Sequence, residues 1–310
     1  MDNITGNTKK NYKVAVVTGS SSGIGFETSL LLARNGFYTY ATMRNPNKSK
    51  KERIVNVANR ERLPLQVIPL DVVDNKSVKE AIGRITTEQG RIDVLVNNAG
   101  FLLLGPLEEL SIEEFKEQFE TNFFGAIRVT QAVLPTMRRQ RQGTIVNISS
   151  IAGKMGFPLS SPYVSSKFAL EGLSESMAYE VEQFGIKVIL VEPGVIKTNF
   201  PNNIKIGKRV DNSSSSSGSN NDNSHTNSSS PYSELIRNRI AGFKPRFESG
   251  SSPVEVAKII LKCVTSETPH LRYLVGDDAF KLMDIRKNSC DKDFRKLVID
   301  SVLQYHHQQP

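Results

Sequence analysis

Residues 13–25 read KVAVVTGSSSGIG, an apolar run that passes directly into a glycine-rich turn. The run is typical of a strand buried on both faces, and the pattern that follows Gly25 is typical of a helix. A glycine-rich turn at this place lets the backbone approach a pyrophosphate, and the helix N-terminus presents N–H donors and the positive end of its dipole. An ordinary tight turn is the alternative, because the spacing Gly-x-x-x-Gly-x-Gly differs from the usual Gly-x-Gly-x-x-Gly. The stretch predicts a dinucleotide site with contacts from Gly19, Ser21, Ser22, Gly23, Ile24 and Gly25.

Six further β-rich runs follow this first strand and alternate with longer helical patterns. Most runs are nearly all apolar, as expected for a parallel sheet that is covered on both faces. The sequence therefore predicts an α/β fold: a single Rossmann-type doubly wound domain, with a parallel seven-stranded sheet flanked by helices on both faces. The predicted strands are Lys13–Thr18, Phe37–Thr42, Leu65–Leu70, Ile92–Asn97, Thr144–Ser149, Ile186–Glu192 and Arg272–Val275. The helical patterns are Gly25–Asn35, Ser77–Glu88, Ile112–Arg139, Tyr163–Phe184 and Pro253–Ser266, and Pro135 predicts a kink or an end in the third of them.

Charge and cysteine content narrow the class of protein. The 310 residues include 40 Lys and Arg against 32 Asp and Glu, a formal charge of +8 that leaves nucleic acid or an anionic ligand open. Two cysteines exclude a disulfide scaffold and a structural zinc cluster, and the four histidines show no ligand-like spacing, so we expect no metal. No apolar run approaches the ~20 residues of a membrane-spanning helix. The polar N-terminus lacks a signal segment, which predicts a cytoplasmic protein.

The end of the second strand indicates which dinucleotide is bound. NAD sites usually place Asp or Glu there to hold the 2′-hydroxyl of the adenine ribose, whereas this sequence has Ala41-Thr42-Met43-Arg44. A carboxylate would repel a 2′-phosphate, and a guanidinium binds it through two hydrogen bonds. We therefore predict NADP(H) in preference to NAD(H), with Arg44 as the main phosphate ligand and Ser21 or Ser22 assisting. The alternative is that Arg44 is a solvated surface charge.

Tyr163 and Lys167 form the candidate catalytic pair. They are four residues apart, so they share one face of a helix, and of the eight tyrosines only Tyr163 has a lysine at this spacing. A free phenol has a pKa of about 10, and a nearby ammonium lowers this pKa by favouring the phenolate. We therefore expect Tyr163 to exchange a proton with a carbonyl or alcohol oxygen while a hydride moves to or from a nicotinamide. A surface helix pair is the alternative for these two residues taken alone.

Five motifs in register resemble one known family. They are Thr18–Gly25, Asn97-Asn98-Ala99-Gly100, Asn147-Ile148-Ser149-Ser150, Tyr163-Val164-Ser165-Ser166-Lys167 and Pro193-Gly194. Their order and spacing over residues 12–200 resemble the classical short-chain dehydrogenase/reductase family. The stretch Tyr40-Ala41-Thr42-Met43-Arg44 resembles the NADP-dependent hydroxysteroid dehydrogenase branch of that family.

The resemblance implies roles for individual residues. Ser150 would hydrogen-bond and position the reacting oxygen. Asn122 would kink the long helix and hold a water that leads to Lys167, which completes a proton relay. The implied catalytic set is Asn122, Ser150, Tyr163 and Lys167. The implied cofactor contacts, beyond the glycine turn and Arg44, are Asp71, Asn98, Ala99, Gly100, Tyr163, Lys167, Pro193, Gly194, Ile196 and Thr198.

Domain organisation and assembly follow from composition and from the same resemblance. Of residues 211–230, 15 of 20 are Ser or Asn, a composition that has almost nothing to bury. We predict a disordered insertion at about 203–232 in the substrate-lid region, a flexible tail at 1–11, and a single NAD(P)-binding Rossmann-type catalytic domain over 12–310. The resemblance places the Ile112–Arg139 helix and the helix from Tyr163 at a two-fold interface, which implies a homodimer or homotetramer. Plain core packing is the alternative for the same pattern.

The predicted function is an NADP(H)-dependent oxidoreductase that interconverts a carbonyl and a secondary alcohol. The substrate region is expected to favour a lipophilic small molecule, with ordinary core packing as the alternative for its apolar residues: Phe101, Leu103, Met155, Phe157 and Leu159. A 3-oxoacyl-thioester reductase and a non-catalytic dinucleotide-sensing regulator are the other functions that stay open. No nucleic-acid partner is predicted, because net charge is the only feature that suggests one. No membrane span is predicted either, because the sequence has no sufficiently long apolar run.

Overall fold

The computed structural model describes residues 12–46, 48–198, 204–208 and 230–303 of the chain. The tail predicted at 1–11 lies outside these residues, and so does most of the insertion predicted at 203–232. Both stay predictions, as does the extent of the single domain over 12–310. In the described part of the chain, no helix combines the length and the apolar character needed to cross a membrane.

Seven strands form one sheet in which every pairing is parallel. Two shorter strands, β5 and β8 in the chain order below, form a separate parallel pair. In chain order the strands are β1 (Lys13–Val17), β2 (Phe37–Met43), β3 (Leu65–Pro69), β4 (Val94–Asn97), β5 (Leu102–Leu104), β6 (Gly143–Ile148), β7 (Ile186–Pro193), β8 (Ile204–Ile206) and β9 (Arg272–Val275). The large sheet has the order β3-β2-β1-β4-β6-β7-β9, which confirms the predicted doubly wound architecture.

Ten α-helices connect and cover these strands in the described residues. They are α1 (Gly23–Arg34), α2 (Lys48–Glu61), α3 (Asn75–Gln89), α4 (Ile112–Phe119), α5 (Gly125–Gln140), α6 (Ser161–Val181), α7 (Ser233–Glu248), α8 (Pro253–Thr265), α9 (Asp277–Asn288) and α10 (Asp291–Leu303). The sequence patterns predict α1, α3, α6, α8 and the stretch of α4 and α5. They miss α2, α7, α9 and α10, because the sequences of these helices are polar on average.

The strands of the large sheet bury both of their faces, which explains their continuous apolar sequence. Val14 and Val16 pack in one core with side chains of α3, α5 and α6. Ala15 and Val17 pack in a second core with side chains of α1 and α8. Successive strand residues point to opposite faces, so a sheet that is covered by helices on both sides needs no polar alternation.

The helix that contains Pro135 does not end there. A π-helical turn at Glu120–Phe124 joins α4 to α5, and in it the Gly125 amide donates to the Glu120 carbonyl. α5 then continues past Pro135 to its last residue, Gln140. Of the two predicted alternatives, an end of the helix at Pro135 is therefore wrong, and a kink there stays a prediction. The irregularity comes earlier, where one extra residue in a turn reorients the neighbouring side chains, among them Asn122.

The small strand pair ties together two distant parts of the chain. β5 follows β4 in the chain, whereas β8 follows β7, and the two strands pair in parallel. Just after β8, the Gly207 amide donates to the Leu104 carbonyl at 2.8 Å. On the other side of residues 209–229, the Tyr232 hydroxyl donates to the Glu108 carboxylate at 2.8 Å. Both flanks of the Ser/Asn-rich stretch thus contact the segment that begins at β5.

Candidate active site

The glycine turn after β1 requires its glycines. Gly19 and Gly23 have φ values of +69° and +57°, in the left-handed region that side chains other than glycine rarely adopt. A Cβ on Gly19 would lie 2.9 Å from the Cα atom of Ala99, and one on Gly25 would lie 2.5 Å from the Gly19 carbonyl oxygen. The chain therefore passes so closely over itself and over the end of β4 that only glycine fits.

Asn98 clamps the end of β4 to the end of β1. Its carboxamide Nδ2 donates to the carbonyls of Thr18 at 2.9 Å and Gly19 at 3.1 Å. The Thr18 hydroxyl in turn accepts from the backbone amides of Asn98 at 2.9 Å and Ala99 at 3.0 Å. Asn98 borders the cavity described below, but its side-chain amide is bonded to the glycine turn and holds that turn in position. This role was not evident from the sequence, because it depends on two strands that are adjacent only in the folded sheet.

The three consecutive serines of the turn have different environments. Ser20 is fully buried, where its hydroxyl donates to the Val17 carbonyl at 2.9 Å and accepts from Ser29 at 3.0 Å. Ser21 and Ser22 line the cavity, and Ser22 precedes α1 in an extended conformation without capping it through its side chain. The first amides of α1 are thus left without that side-chain partner, which is the donor set that a diphosphate uses. Together with the close-packed glycines, this turn fits a dinucleotide.

One cavity of about 590 Å³ runs from this turn along the carboxyl ends of the central strands. It lies where the sheet order reverses between β1 and β4, the position at which open α/β sheets bind ligands. Of the residues predicted for catalysis and cofactor binding, only Gly25 does not line the cavity, because it is buried under the turn. The predicted residues that do are Gly19, Ser21, Ser22, Gly23, Ile24, Arg44, Asp71, Asn98, Ala99, Gly100, Asn122, Ser150, Tyr163, Lys167, Pro193, Gly194, Ile196 and Thr198.

Tyr163, Ser150 and Lys167 meet on one wall of this cavity. Tyr163 lies in the first turn of α6, and its hydroxyl interacts with that of Ser150, which follows β6. The Lys167 ammonium nitrogen lies 5.6 Å from the centre of the Tyr163 ring and donates to the Ile148 carbonyl at 2.7 Å. Helical spacing therefore does bring the predicted pair onto one face, and the end of β6 supplies the third group.

The expected lowering of the Tyr163 pKa does not occur in this structure. Burial raises the pKa of Tyr163 to about 12, and the hydrogen bond with Ser150 opposes this only in part. Burial also lowers the pKa of Lys167 to about 8, against the attraction of the Glu171 carboxylate. Desolvation thus favours the neutral forms of both groups, and the influence that opposes it at Tyr163 comes from Ser150 rather than from Lys167.

Asn122 supports the backbone next to the cavity. Its Oδ1 atom accepts from the Phe101 amide at 3.1 Å, and its Nδ2 atom donates to the Phe101 carbonyl at 3.0 Å and lies 3.5 Å from the Ser166 hydroxyl. One turn earlier, Gln118 accepts from the Leu103 amide at 2.7 Å and donates to the Phe101 carbonyl at 2.9 Å. The two carboxamides therefore hold β5 against α4. The side chain of Asn122 is occupied by Phe101, so any relay to Lys167 remains a prediction.

Asp278 is a residue of the site that the sequence patterns did not single out. Its carboxylate accepts from the Val195 amide at 2.7 Å, and a Cβ on Gly194 would overlap that carboxylate. It therefore fixes the chain at the end of β7, where Pro193 and the following Gly194 line the cavity. The signal that indicates it is Gly276-Asp277-Asp278, a glycine and two acids at the start of the helix that follows the last strand.

The apolar wall differs in part from the predicted one. Phe101 and Phe157 line the cavity, whereas Leu103, Met155 and Leu159 do not. Leu103 and Met155 are each 2% exposed and belong to the packing behind it. Other lining residues come from helices beyond the Ser/Asn-rich stretch: Arg239, Arg246, Phe247 and Leu282. The sequence patterns missed them because α7 and α9 are not marked by a strong apolar period.

The chain matches a known protein family and several characterised relatives. The family model described as short chain dehydrogenase matches residues 13–208. The 3-ketodihydrosphingosine reductase of Bacteroides thetaiotaomicron is 37% identical over 264 residues, which cover 85% of this chain and 88% of that protein. Retinol dehydrogenase 8 of Bos taurus is 39% identical over 266 residues, covering 84% and 80%. Human 17-beta-hydroxysteroid dehydrogenase type 1 is 34% identical over 279 residues, covering 88% and 80%.

A solved structure agrees with these sequence matches. ElxO with NADP bound has a TM-score of 0.68 and 28% identity, covering 87% of this chain and 99% of that chain. The family model spans more than half of the sequence, and the relatives align over most of both chains. The glycine turn, the Tyr163–Lys167 pair and the parallel sheet thus have a common explanation: this chain belongs to the short-chain dehydrogenase family of oxidoreductases.

Proposed function

We propose that the protein is an NADP(H)-dependent oxidoreductase that interconverts a carbonyl and a secondary alcohol on a lipophilic small molecule. The observation that carries this proposal is that Tyr163, Ser150 and Lys167 lie together on the wall of the cavity that begins at the glycine turn. A bound nicotinamide dinucleotide supplies or accepts the hydride. Tyr163 then serves as general acid or base, and Ser150 orients the reacting oxygen.

The protonation state of Tyr163 supports carbonyl reduction. With a pKa of about 12, the phenol keeps its proton at neutral pH and can donate it to a carbonyl oxygen as negative charge develops there. Lys167, with a pKa of about 8, is mainly an ammonium at pH 7 and stabilises the phenolate that remains after the transfer. In the reverse direction Tyr163 must first lose a proton, which burial opposes.

The residues that would hold the dinucleotide follow the cavity from end to end. The glycine turn and the start of α1 would bind the diphosphate, and Asp71, Ala99 and Gly100 would border the adenosine. The segment of Pro193, Gly194, Ile196 and Thr198 would contact the nicotinamide end. Asn98 and Gly25 would act indirectly, because the Asn98 side chain is bonded to the turn and Gly25 is buried beneath it.

Arg44 is the residue on which the preference for NADP(H) rests. It directly follows β2, is exposed and lines the cavity. The end of β2 carries no Asp or Glu that would hold a ribose 2′-hydroxyl. We expect Arg44→Ala to lower kcat/KM for NADPH about 10- to 100-fold and to leave kcat/KM for NADH nearly unchanged, because charge-assisted hydrogen bonds to the 2′-phosphate are lost. The matched control is Arg60→Ala, which removes an exposed guanidinium of α2. Equal use of both dinucleotides by the wild type, or equal losses in the two variants, would contradict the assignment.

A lipophilic substrate is supported by the cavity wall and by the relatives. Phe101, Phe157, Phe247 and Leu282 provide the apolar surface beside Tyr163. Three relatives are named for retinol, a hydroxysteroid and a sphingoid ketone. The test is NADPH consumption with long-chain ketones, retinaldehyde, steroid ketones and small hydrophilic ketones. Turnover confined to 3-oxoacyl thioesters would favour a thioester reductase, and tight dinucleotide binding without turnover of any compound would favour a dinucleotide sensor.

We further propose that the chain forms a homodimer or homotetramer through α5 and α6. Phe168 and Tyr179 of α6 are 46% and 72% exposed, and Phe124 beside α5 is 46% exposed. Such aromatic exposure on two helices is typical of a protein interface. Light scattering is expected to give a mass of two or four 34.4 kDa chains, and Phe168→Glu is expected to lower it. A wild-type mass of one chain would refute this proposal.

A further inference from the structure

Four charged side chains meet behind the cavity wall, and we refer to Lys154, Glu171, Glu192 and Arg272 as the Glu171 cluster. The Nε atom of Arg272 lies 3.0 Å from a Glu171 carboxylate oxygen and 3.5 Å from a Glu192 carboxylate oxygen. The Lys154 ammonium lies 4.0 Å from Glu171. Glu171 and Glu192 are 5% and 2% exposed, so one guanidinium serves two carboxylates that are removed from water.

Each acid of the cluster belongs to an element that also carries a residue of the proposed active site. Glu171 lies one turn beyond Lys167 on the same face of α6, and Lys167 is itself only 7% exposed. Glu192 directly precedes Pro193 at the end of β7. Lys154 follows the short turn that starts at Ser150. The cluster is thus connected to the wall of the cavity through three separate segments.

The packing between these segments is close and polar. A Cβ on Gly153 would lie 2.8 Å from the Ser149 hydroxyl and 3.0 Å from the Glu171 Cγ atom. The Ser149 hydroxyl and one oxygen of each acid are buried, and each lacks a hydrogen-bond partner among the described residues. Such an environment magnifies electrostatic interactions, because little solvent screens them.

We propose that Glu171 is a positioning residue whose carboxylate keeps Lys167 in its ammonium form, and that Glu192 adds a second negative charge when it loses its proton. The inference rests on the proposed function, in which Lys167 acts as an ammonium beside Tyr163. It identifies a determinant of the reaction that does not touch substrate or cofactor.

The charges around Lys167 agree with this assignment. The Glu171 carboxylate raises the pKa of Lys167, in opposition to burial. Burial and the neighbouring Glu171 carboxylate together raise the pKa of Glu192 to about 7, although Lys154 and Arg272 act in the other direction. Glu192 therefore gains its charge over the range in which Lys167 begins to lose its own. Glu175 lies next to the cluster without belonging to it. Its carboxylate is more exposed and accepts a hydrogen bond from Arg272 at 2.7 Å.

The test compares pH profiles of isosteric variants. In the wild type, kcat for carbonyl reduction is expected to fall above pH 8 as Lys167 loses its proton. Glu171→Gln removes the carboxylate that holds this proton, so the fall should begin about one pH unit lower while kcat at pH 6 is retained. Glu192→Gln should shift the pH at which kcat begins to fall downward by a smaller amount. Below pH 6 its kcat should equal that of the wild type. Glu171→Asp, which keeps the charge, should largely restore the profile.

Two controls make the result specific. Glu175→Gln removes a carboxylate from the same arginine at the surface and should leave the profile unchanged. The proton affinity of Lys167 is also measured without turnover, by titrating the ¹³Cε resonances of labelled lysines in the ligand-free protein, with the signal assigned through Lys167→Met. Its midpoint should fall in Glu171→Gln and stay in Glu175→Gln.

The outcomes separate this inference from the proposed function. If the Lys167 midpoint and the profile of Glu171→Gln both match the wild type while Tyr163→Phe is inactive, the inference is overturned and the function stands. A uniform loss of kcat at every pH would show that Glu171 serves the fold alone. If Tyr163→Phe turns over normally, the function fails, and the lysine titration still decides whether Glu171 controls Lys167. If Glu171→Gln loses its near-ultraviolet circular dichroism, its tertiary packing is disrupted. The pH profile of Glu192→Gln then provides the test instead.

Discussion

Tyr163→Phe is expected to lower kcat about 10³-fold, within the range that general acid–base groups contribute, and to leave the affinity for NADPH nearly unchanged. The substitution removes one oxygen atom and keeps the ring in place over the Lys167 ammonium. No other described side chain holds a proton beside the Ser150 hydroxyl in the same way, so the developing alkoxide has no positioned donor. The loss should appear in kcat and kcat/KM alike, because proton transfer belongs to the transition state.

The measurement is steady-state reduction of a carbonyl identified in the panel, with NADPH affinity followed by fluorescence. Tyr179→Phe is the matched control, since this tyrosine lies on the same helix but is 72% exposed and remote from the cavity wall. It should retain wild-type kcat. Turnover by Tyr163→Phe within tenfold of the wild type would remove Tyr163 from the reaction.

Gly25→Ala is expected to reduce dinucleotide affinity by more than 100-fold and to destabilise the fold by about 1–3 kcal/mol. Its Cβ would lie 2.5 Å from both the Gly19 carbonyl oxygen and the Asn98 Nδ2 atom. These atoms belong to the turn and to the clamp that holds it, so neither moves without shifting the donors at the start of α1. A single methyl group therefore acts on binding although Gly25 does not face the cavity.

Titration of the protein with NADPH and thermal unfolding measure the two effects. The control is Gly83→Ala in α3, where a Cβ meets nothing within 4 Å in the described structure. Replacing a glycine inside a helix should raise stability by about 0.5–1 kcal/mol and leave NADPH affinity unchanged. Wild-type affinity in Gly25→Ala would contradict the close approach that the turn requires.

The sheet was predictable because its strands are buried on both faces. The predicted run Ile186–Glu192 and the observed β7 (Ile186–Pro193) differ by one residue, since the apolar stretch Val188–Val191 marks such a strand clearly. The three-residue strands β5 and β8 carry no comparable signal. Their pairing is between segments about a hundred residues apart, and nothing in either segment alone specifies the other.

The pKa values and ion pairs of the site were less predictable than the identities of its residues. Helical spacing places Lys167 beside Tyr163, but the pKa of each depends on burial, which follows from how β6, α6 and β7 pack. The contact between Glu171 and Arg272 joins residues 101 positions apart. A sequence pattern names groups that share a helix face, whereas desolvation and long-range ion pairs arise only when the sheet is complete.

The two contacts that flank the Ser/Asn-rich stretch, Gly207 with Leu104 and Tyr232 with Glu108, have an evolutionary consequence. Because both ends of the stretch are fastened to neighbouring residues, the length of chain between them is not set by the geometry of the cavity. The entropy of closing a loop grows only with the logarithm of its length, about 0.6 kcal/mol for each doubling. We therefore expect the number of polar residues at this position to differ among relatives at little cost in stability, and the position offers an insertion point for a reporter or an affinity tag.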